Sequence, residues 1–199
     1  MIFYDISYKE KLCLDMDLGN DWESISCPED EGHRRAGRRI TDLNIQVRSR
    51  KIVDFSWTMM SDVVITDRAL HVLRNNRLTG FEVKPAIITS SRHRMDRQRL
   101  PKFWELIVIG QAGHANPDSG IYLKWKCEAC GLVRYSAYEN GIIVDEKNWD
   151  GSDFSYVVGY PKHILVTERT KNIIESNHLT NVVFTPSNKL KWPELVIKP

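Results

Sequence analysis

The sequence predicts an α+β fold: two pseudo-repeated strand-helix-strand units and a β-rich insert that carries a Cys-x-x-Cys knuckle. The first observation behind this is an internal repeat. Ile65-Thr66-Asp67-Arg68 opens a stretch that passes through Val72-Leu73, Asn76 and Leu78-Thr79-Gly80-Phe81 to Val83 and Pro85. Val166-Thr167-Glu168-Arg169 opens another, through Ile173-Ile174, Asn177 and Leu179-Thr180-Asn181-Val182 to Phe184 and Pro186. Shared residues recur at one constant offset, with apolar-for-apolar and Asp-for-Glu exchanges between them. The second observation is that strand-like runs outnumber helical ones, and the third is that Cys127-Glu128-Ala129-Cys130-Gly131 lies among residues of β character. The chain is read as a single compact domain over 1–199, with halves at about 1–110 and 111–199 related by the repeat at 65–85 and 166–186.

Each element has a local reason. Residues 2–6 alternate as a strand. Residues 9–39 are polar, lack periodicity and end in Arg34-Arg35 and Arg38-Arg39, which reads as loop. Residues 40–47 and 52–57 read as short strands ahead of the first repeat. Within the repeat, a β-branched residue precedes Thr66 or Thr167, whose hydroxyl can accept from an orphan helix N–H, and the acid that follows suits the positive helix start. The helices are short, roughly three turns, with a narrow apolar stripe of Ala69, Val72 and Leu73 in one and Ile173 and Ile174 in the other. Gly80 and Asn181 hold equivalent places and are the residue types that best tolerate positive φ. Each unit then re-enters a strand, the first continuing through 86–88. Residues 90–99 break the pattern as an exposed basic loop, 103–109 form a strong strand, and 112–120 are turn chemistry. Strands at 121–126, 132–138 and 141–144 surround the knuckle, 149–154 make a turn, and the second repeat begins near Pro161.

Composition bounds function. At 199 residues the chain buries enough surface to fold without disulfides, and a net charge of +2 with acids and bases mixed indicates no polyanion binder, so nucleic acid is not the expected partner. Residues 1–20 contain no apolar run and no stretch approaches 18 apolar residues, which predicts no export signal and no membrane association. Four cysteines, one close pair and two scattered, fit a reducing cytoplasm.

Cys127 and Cys130 with Gly131 form half of a tetrahedral zinc site, two thiolates at i and i+3 with a glycine for the turn. Cys13 and Cys27 are too far apart in sequence to make a second knuckle. The best completion is Cys27 with His33, giving a three-Cys, one-His set for one structural zinc. A knuckle without metal and a redox pair are the alternatives, the last disfavoured because reactive thiol pairs gain their low pKa at helix starts. The basic run at 91–99 and the arginines at 34, 35, 38 and 39 can face phosphates with Trp104 or Tyr138 stacking on bases, or simply face solvent. Asp150 and Asp153 read as Asp-Gly turn residues with side-chain-to-backbone bonds, not as paired catalytic acids. No His-Glu-x-x-His, nucleophile elbow, phosphate loop or dinucleotide fingerprint occurs in the sequence, so no catalytic residue and no enzymatic activity is assigned.

Several patterns taken in order resemble the double-CXXCG motif family, immunity proteins of bacterial polymorphic, contact-exchanged toxin systems. They are Leu78-Thr79-Gly80-Phe81-Glu82-Val83-Lys84-Pro85, Ser119-Gly120-Ile121, Cys127-Glu128-Ala129-Cys130-Gly131, Trp149-Asp150-Gly151-Ser152-Asp153-Phe154 and Val166-Thr167-Glu168-Arg169. Where that family places its first Cys-x-x-Cys-Gly, this chain has Cys27-Pro28-Glu29-Asp30-Glu31-Gly32, so only one thiol of that motif remains. The resemblance implies a non-catalytic protein that binds and neutralises a cognate toxin in the producer's cytoplasm. Candidate contact residues are Arg92, His93, Arg94, Arg97 and Arg99 in one loop and His114 and Asn116 in another. The alternative is a zinc-ribbon-like nucleic-acid-binding protein.

Overall fold

The computed structural model describes residues 1–10, 13–92, 100–160 and 163–191. In chain order, the first strands are Phe3–Ser7 (β1), Leu14–Met16 (β2), Trp22–Ile25 (β3), Arg35–Arg39 (β4), Leu43–Val47 (β5), Phe55–Trp57 (β6) and Val63–Thr66 (β7). Helix α1, Asp67–Asn75, leads to Phe81–Ser91 (β8), Phe103–Val108 (β9) and Gly110–Gln111 (β10). Leu123–Lys126 (β11), Val133–Tyr135 (β12), Phe154–Tyr156 (β13) and Ile164–Thr167 (β14) follow, then α2 at Glu168–Ser176 and Val183–Pro186 (β15). Helices and strands coexist, with strand in excess, in an α+β arrangement.

One sheet has the order β2-β5-β8-β9-β7-β6, antiparallel except for the β5–β8 pair. The other has the order β10-β13-β14-β1-β15, antiparallel except for β10–β13. Strands β3–β4 and β11–β12 stand apart as two antiparallel ribbons. The 9–39 segment is therefore not loop throughout: it carries β2, β3 and β4. Residues 141–144, expected as a strand, contribute a single bridge from Val144 to Ala115. The proposed start near Pro161 lies outside the described residues, as does most of the basic loop.

A single apolar cluster takes in both helices and one face of each sheet, including Phe55, Ile65, Leu73 and Leu78 alongside Phe154, Val166, Ile174 and Leu179. In β7 and β14 every residue is buried. Alternate side chains of a strand point to opposite faces, so Val64 joins a second cluster on the outer side of the first sheet and Leu165 a third on the outer side of the other.

The two helices share their capping geometry and are locked to one another. Thr66 and Thr167 each accept from the N–H three residues on, at 3.3 Å in both cases. Asn76 and Asn177 close the helices, and Arg77 and His178 follow at φ 52° and 51°. Buried Asp54 then accepts from the Thr66 hydroxyl, from Arg68 Nη1 at 2.6 Å, and from the N–H and hydroxyl of Thr180 in the other unit, both at 2.8 Å. Buried Asp153 accepts from the Thr167 hydroxyl, from Arg169 Nη1 at 2.8 Å, and from the N–H and hydroxyl of Thr79. Each arginine spends its other nitrogen on the opposite unit's helix end, Arg68 on the Asn177 carbonyl and Arg169 on that of Asn76.

Gly80 and Asn181 solve one packing problem in two ways. A Cβ on Gly80 (φ 84°) would lie 2.1 Å from the Phe154 carbonyl oxygen, so no side chain fits. At Asn181 (φ 66°) the matching carbonyl, that of Phe55, accepts from the side-chain Nδ2 at 2.8 Å.

Removing either buried carboxylate strands the threonine N–H and hydroxyl donors it holds, at a cost of about 1–3 kcal/mol, while the pair to a half-exposed arginine adds little. Asp54→Ala and Asp153→Ala should each lower the urea midpoint by the equivalent of that loss; a wild-type midpoint in either variant would show that the clasp is not a stabilising element.

Candidate metal centre

The ribbons meet at their tips. Cys27 and His33 lie in the connection between β3 and β4, and Cys127 and Cys130 in that between β11 and β12. One ligand atom from each of these four residues lies within 4.8 Å of the others. The Cys27 and Cys127 sulfurs are 3.8 Å apart across 100 residues of sequence, and His33 Nδ1 is 3.9 Å from the Cys130 sulfur. In a tetrahedral site with Zn–S bonds of 2.3 Å, neighbouring sulfurs are about 3.8 Å apart. The set Cys27, His33, Cys127 and Cys130, chosen from sequence as the completion of the knuckle, can therefore hold a metal ion.

Local turn chemistry places each ligand. After Cys27, Asp30 accepts from the Gly32 N–H at 2.7 Å and starts the 3-10 turn Glu31–His33. In the knuckle, the Gly131 N–H reaches the Cys127 carbonyl and the Cys127 N–H reaches that of Leu132, both at 2.8 Å. Gly131 sits at φ 69° with open space where a Cβ would go, so the backbone conformation, not crowding, calls for glycine.

A second layer orients the ligands. His33 Nε2 is 3.1 Å from the Asp30 carboxylate, which fixes Nδ1 as the nitrogen that faces the sulfurs. Arg35 donates through Nη1 to the Cys130 sulfur at 3.5 Å and through Nη2 to the Cys130 carbonyl at 3.0 Å. The backbone N–H of Leu132 and then the Arg35 guanidinium, working against desolvation, bring the Cys130 thiol down to about 6. At Cys127 the N–H of Cys130 pulls downward, but burial and the neighbouring sulfurs outweigh it and the net direction is up. Asp30 is not singled out by the sequence, although an Asp three residues before a candidate His ligand was an available signal; Arg35, read there as one of four arginines facing phosphates or solvent, instead binds Cys130.

The ribbons have almost no interior apart from this cluster. No residue of β3, β4, β11 or β12 is buried, whereas Cys27 and Cys127 are. The outer surface of the second ribbon exposes Tyr122, Leu123, Trp125 and Val133. Trp125 lies 4.9 Å from the His33 ring and beneath the Arg134 guanidinium, and with Asp30 and Gly32 these three residues line a cleft of about 400 Å³ beside the cluster. Arg39, at the end of β4, ties the first ribbon to the first sheet through Glu105 of β9.

The other sequence candidates do not converge here. Arg92 is exposed, and His93, Arg94, Arg97 and Arg99 lie outside the described residues. His114 is exposed near the Tyr135 ring. Asn116 instead caps the short turn Pro117–Ser119 by accepting from the Asp118 N–H. Asp150 makes the expected turn bond to the Ser152 N–H and also accepts from the distant Gln111 N–H, but Asp153 is the buried clasp described above. No family model matches the chain, and no curated protein matches it either. Among the described residues, no helix is long and apolar enough to cross a membrane.

Two outcomes follow from this geometry. Cys130 ionises more readily in the folded, metal-free chain than at its ordinary value of 9.0, so the stability lent by its thiolate is complete above pH 9.0 and is lost as pH falls through about 6. Alkylation of Cys130 by iodoacetamide should show a midpoint near 6, and Arg35→Ala should move it upward. For the second layer, Asp30→Ala should weaken metal binding about 10–100-fold in chelator competition, and an unchanged affinity would remove Asp30 from that role.

Proposed function

We propose that the chain is a metal-stapled, non-catalytic binding protein that captures and neutralises a cognate protein toxin in the cytoplasm of the cell that makes it. The observation that carries the structural half of this reading is the convergence of Cys27, His33, Cys127 and Cys130 at the tips of two ribbons with no other core. Three thiolates and an imidazole suit zinc, and a ligand set that closes all four positions describes a structural ion, not a catalytic one. His33 would then supply what the lost thiol of the first Cys-x-x-Cys-Gly supplies in the family that the sequence resembles.

The toxin half rests on the ordered motifs of that resemblance and on the exposed aromatic and apolar residues beside the metal cluster. Protein interfaces draw most of their energy from a few aromatic and arginine anchors, and Trp125 with Arg134 is such a pair. In the same reading the stretches 65–85 and 166–186 are copies of one unit, and the scaffold they form carries the ribbons without taking part in recognition.

A second reading, a zinc-ribbon-like nucleic-acid binder, is favoured by Lys124, Lys126 and Arg134 standing on the same ribbon as Tyr122 and Trp125. The purified chain should carry one zinc per molecule by elemental analysis, and Cys127→Ser should abolish it. Co-expression should rescue cells from the toxin encoded beside it, and Trp125→Ala should weaken that protection while leaving zinc content intact. Absence of both rescue and binding to that toxin, with salt-dependent retention on RNA or DNA, would transfer the conclusion to the second reading.

A further inference from the structure

We propose that Cys27 and Cys127 are the partners of a disulfide that takes over the joining of the two ribbons when the cluster meets a peroxide. Their sulfurs already touch at 3.8 Å, both residues are buried, and they come from different ribbons. Bond formation needs the pair to close from there to ~2.05 Å.

Cys130, the most readily ionised thiol of the cluster, also lies within 4.8 Å of both sulfurs, and what sets it apart from the pairing is its own set of contacts. Cys130 is gripped by Arg35 at both sulfur and carbonyl, and its sulfur faces His33 on the other side. A bond between Cys127 and Cys130 would have to reshape a knuckle fixed by the Gly131-to-Cys127 and Cys127-to-Leu132 hydrogen bonds. Cys13 is buried apart from the cluster, beside Lys51 and Glu10. The cross-link therefore joins residues 100 apart in sequence and leaves Cys13 and Cys130 as free thiols.

The chemistry balances with hydrogen peroxide as the named oxidant. One thiolate attacks a peroxide oxygen, breaking the O–O bond and giving a sulfenic acid and hydroxide, which takes up a proton. The second thiol attacks the sulfenic sulfur, its proton leaves with the departing hydroxyl as water, and the disulfide forms. Two thiols and one peroxide become one disulfide and two waters. Where the metal reading holds, the same step removes two of four ligands, so zinc leaves with only Cys130 and His33 behind it; that consequence rests on the proposed zinc, and the cross-link itself does not.

The test uses the full chain in two states, stripped with a chelator and reconstituted with zinc, each with metal content measured before oxidation. Hydrogen peroxide should remove two hydrogens from the intact mass of the stripped chain, and non-reduced peptide mapping should recover Cys27 joined to Cys127. The reconstituted chain should release one zinc per cross-link to a chromogenic chelator. Cys27→Ser should lose the cross-link, and Cys130→Ser should keep it. A Cys127–Cys130 link, bonds only between chains, or sulfinic acids without a cross-link would overturn the proposal. A chain that never takes up zinc but forms the Cys27–Cys127 bond would overturn the zinc reading alone.

Discussion

The fold depends on two buried carboxylates, each of which completes the other unit. Asp54 binds Thr180, and Asp153 binds Thr79. A carboxylate this far from water is tolerated only when its lone pairs are filled by donors, and in both cases half of those donors come from across the interface. Neither unit can satisfy its own aspartate, so the pair must form together. The shared apolar cluster says the same in another currency, because Phe55 and Phe154, Leu73 and Ile174, and Leu78 and Leu179 meet in one interior. Strands β7 and β14, buried along their whole length, are where that interior is deepest.

The ribbons obey different physics. They leave the sheets as pairs of strands with no buried side chain of their own, and hydrogen bonds between two exposed strands are marginal in water. What joins one ribbon to the other is the cluster of thiols and imidazole, with Arg35 on the Cys130 carbonyl and Trp125 against His33 beside it. A structural metal in such a place contributes folding free energy directly, since the site does not exist in the unfolded chain. The Arg39–Glu105 pair then fixes the first ribbon to the sheet, and through the cluster it fixes the second.

The sequence disclosed the local chemistry of the units and little of their pairing. Thr66, Thr167, Gly80 and Asn181 carry their roles in their residue types, because caps and positive-φ turns are decided within a few residues. Asp54-Phe55-Ser56 and Asp153-Phe154-Ser155 lie outside the stretches 65–85 and 166–186 that match in sequence, although their carboxylates anchor the two helices. The reason is a change of register: five residues separate Trp57 from Val63 and seven separate Tyr156 from Ile164. Strands β3 and β4 were hidden because a ribbon exposed on both faces needs no apolar alternation. The four residues that could hold a metal were legible because thiols and imidazoles are scarce enough to be paired by elimination. Asp30 and Arg35 were not, since charged residues are common and only distance reveals what they touch.

Those two residues explain how a mixed ligand set can sit at the edge of a surface. Around a divalent ion, three thiolates and an imidazole would leave one negative charge, and Arg35 reaches from the first ribbon onto the sulfur of the second, where it would face that charge. Asp30 faces the other way, holding His33 by the nitrogen that points away from the sulfurs. Each ribbon thus orients a ligand with its own charged residue or answers one from its neighbour, and the tips become rigid in relation to each other. Trp125 packs at this junction, tilted against His33 and under Arg134. An aromatic side chain on an otherwise flexible ribbon loses conformational freedom when it binds; one already packed on a fixed ligand has lost it beforehand, which is the condition under which a small exposed patch yields useful affinity.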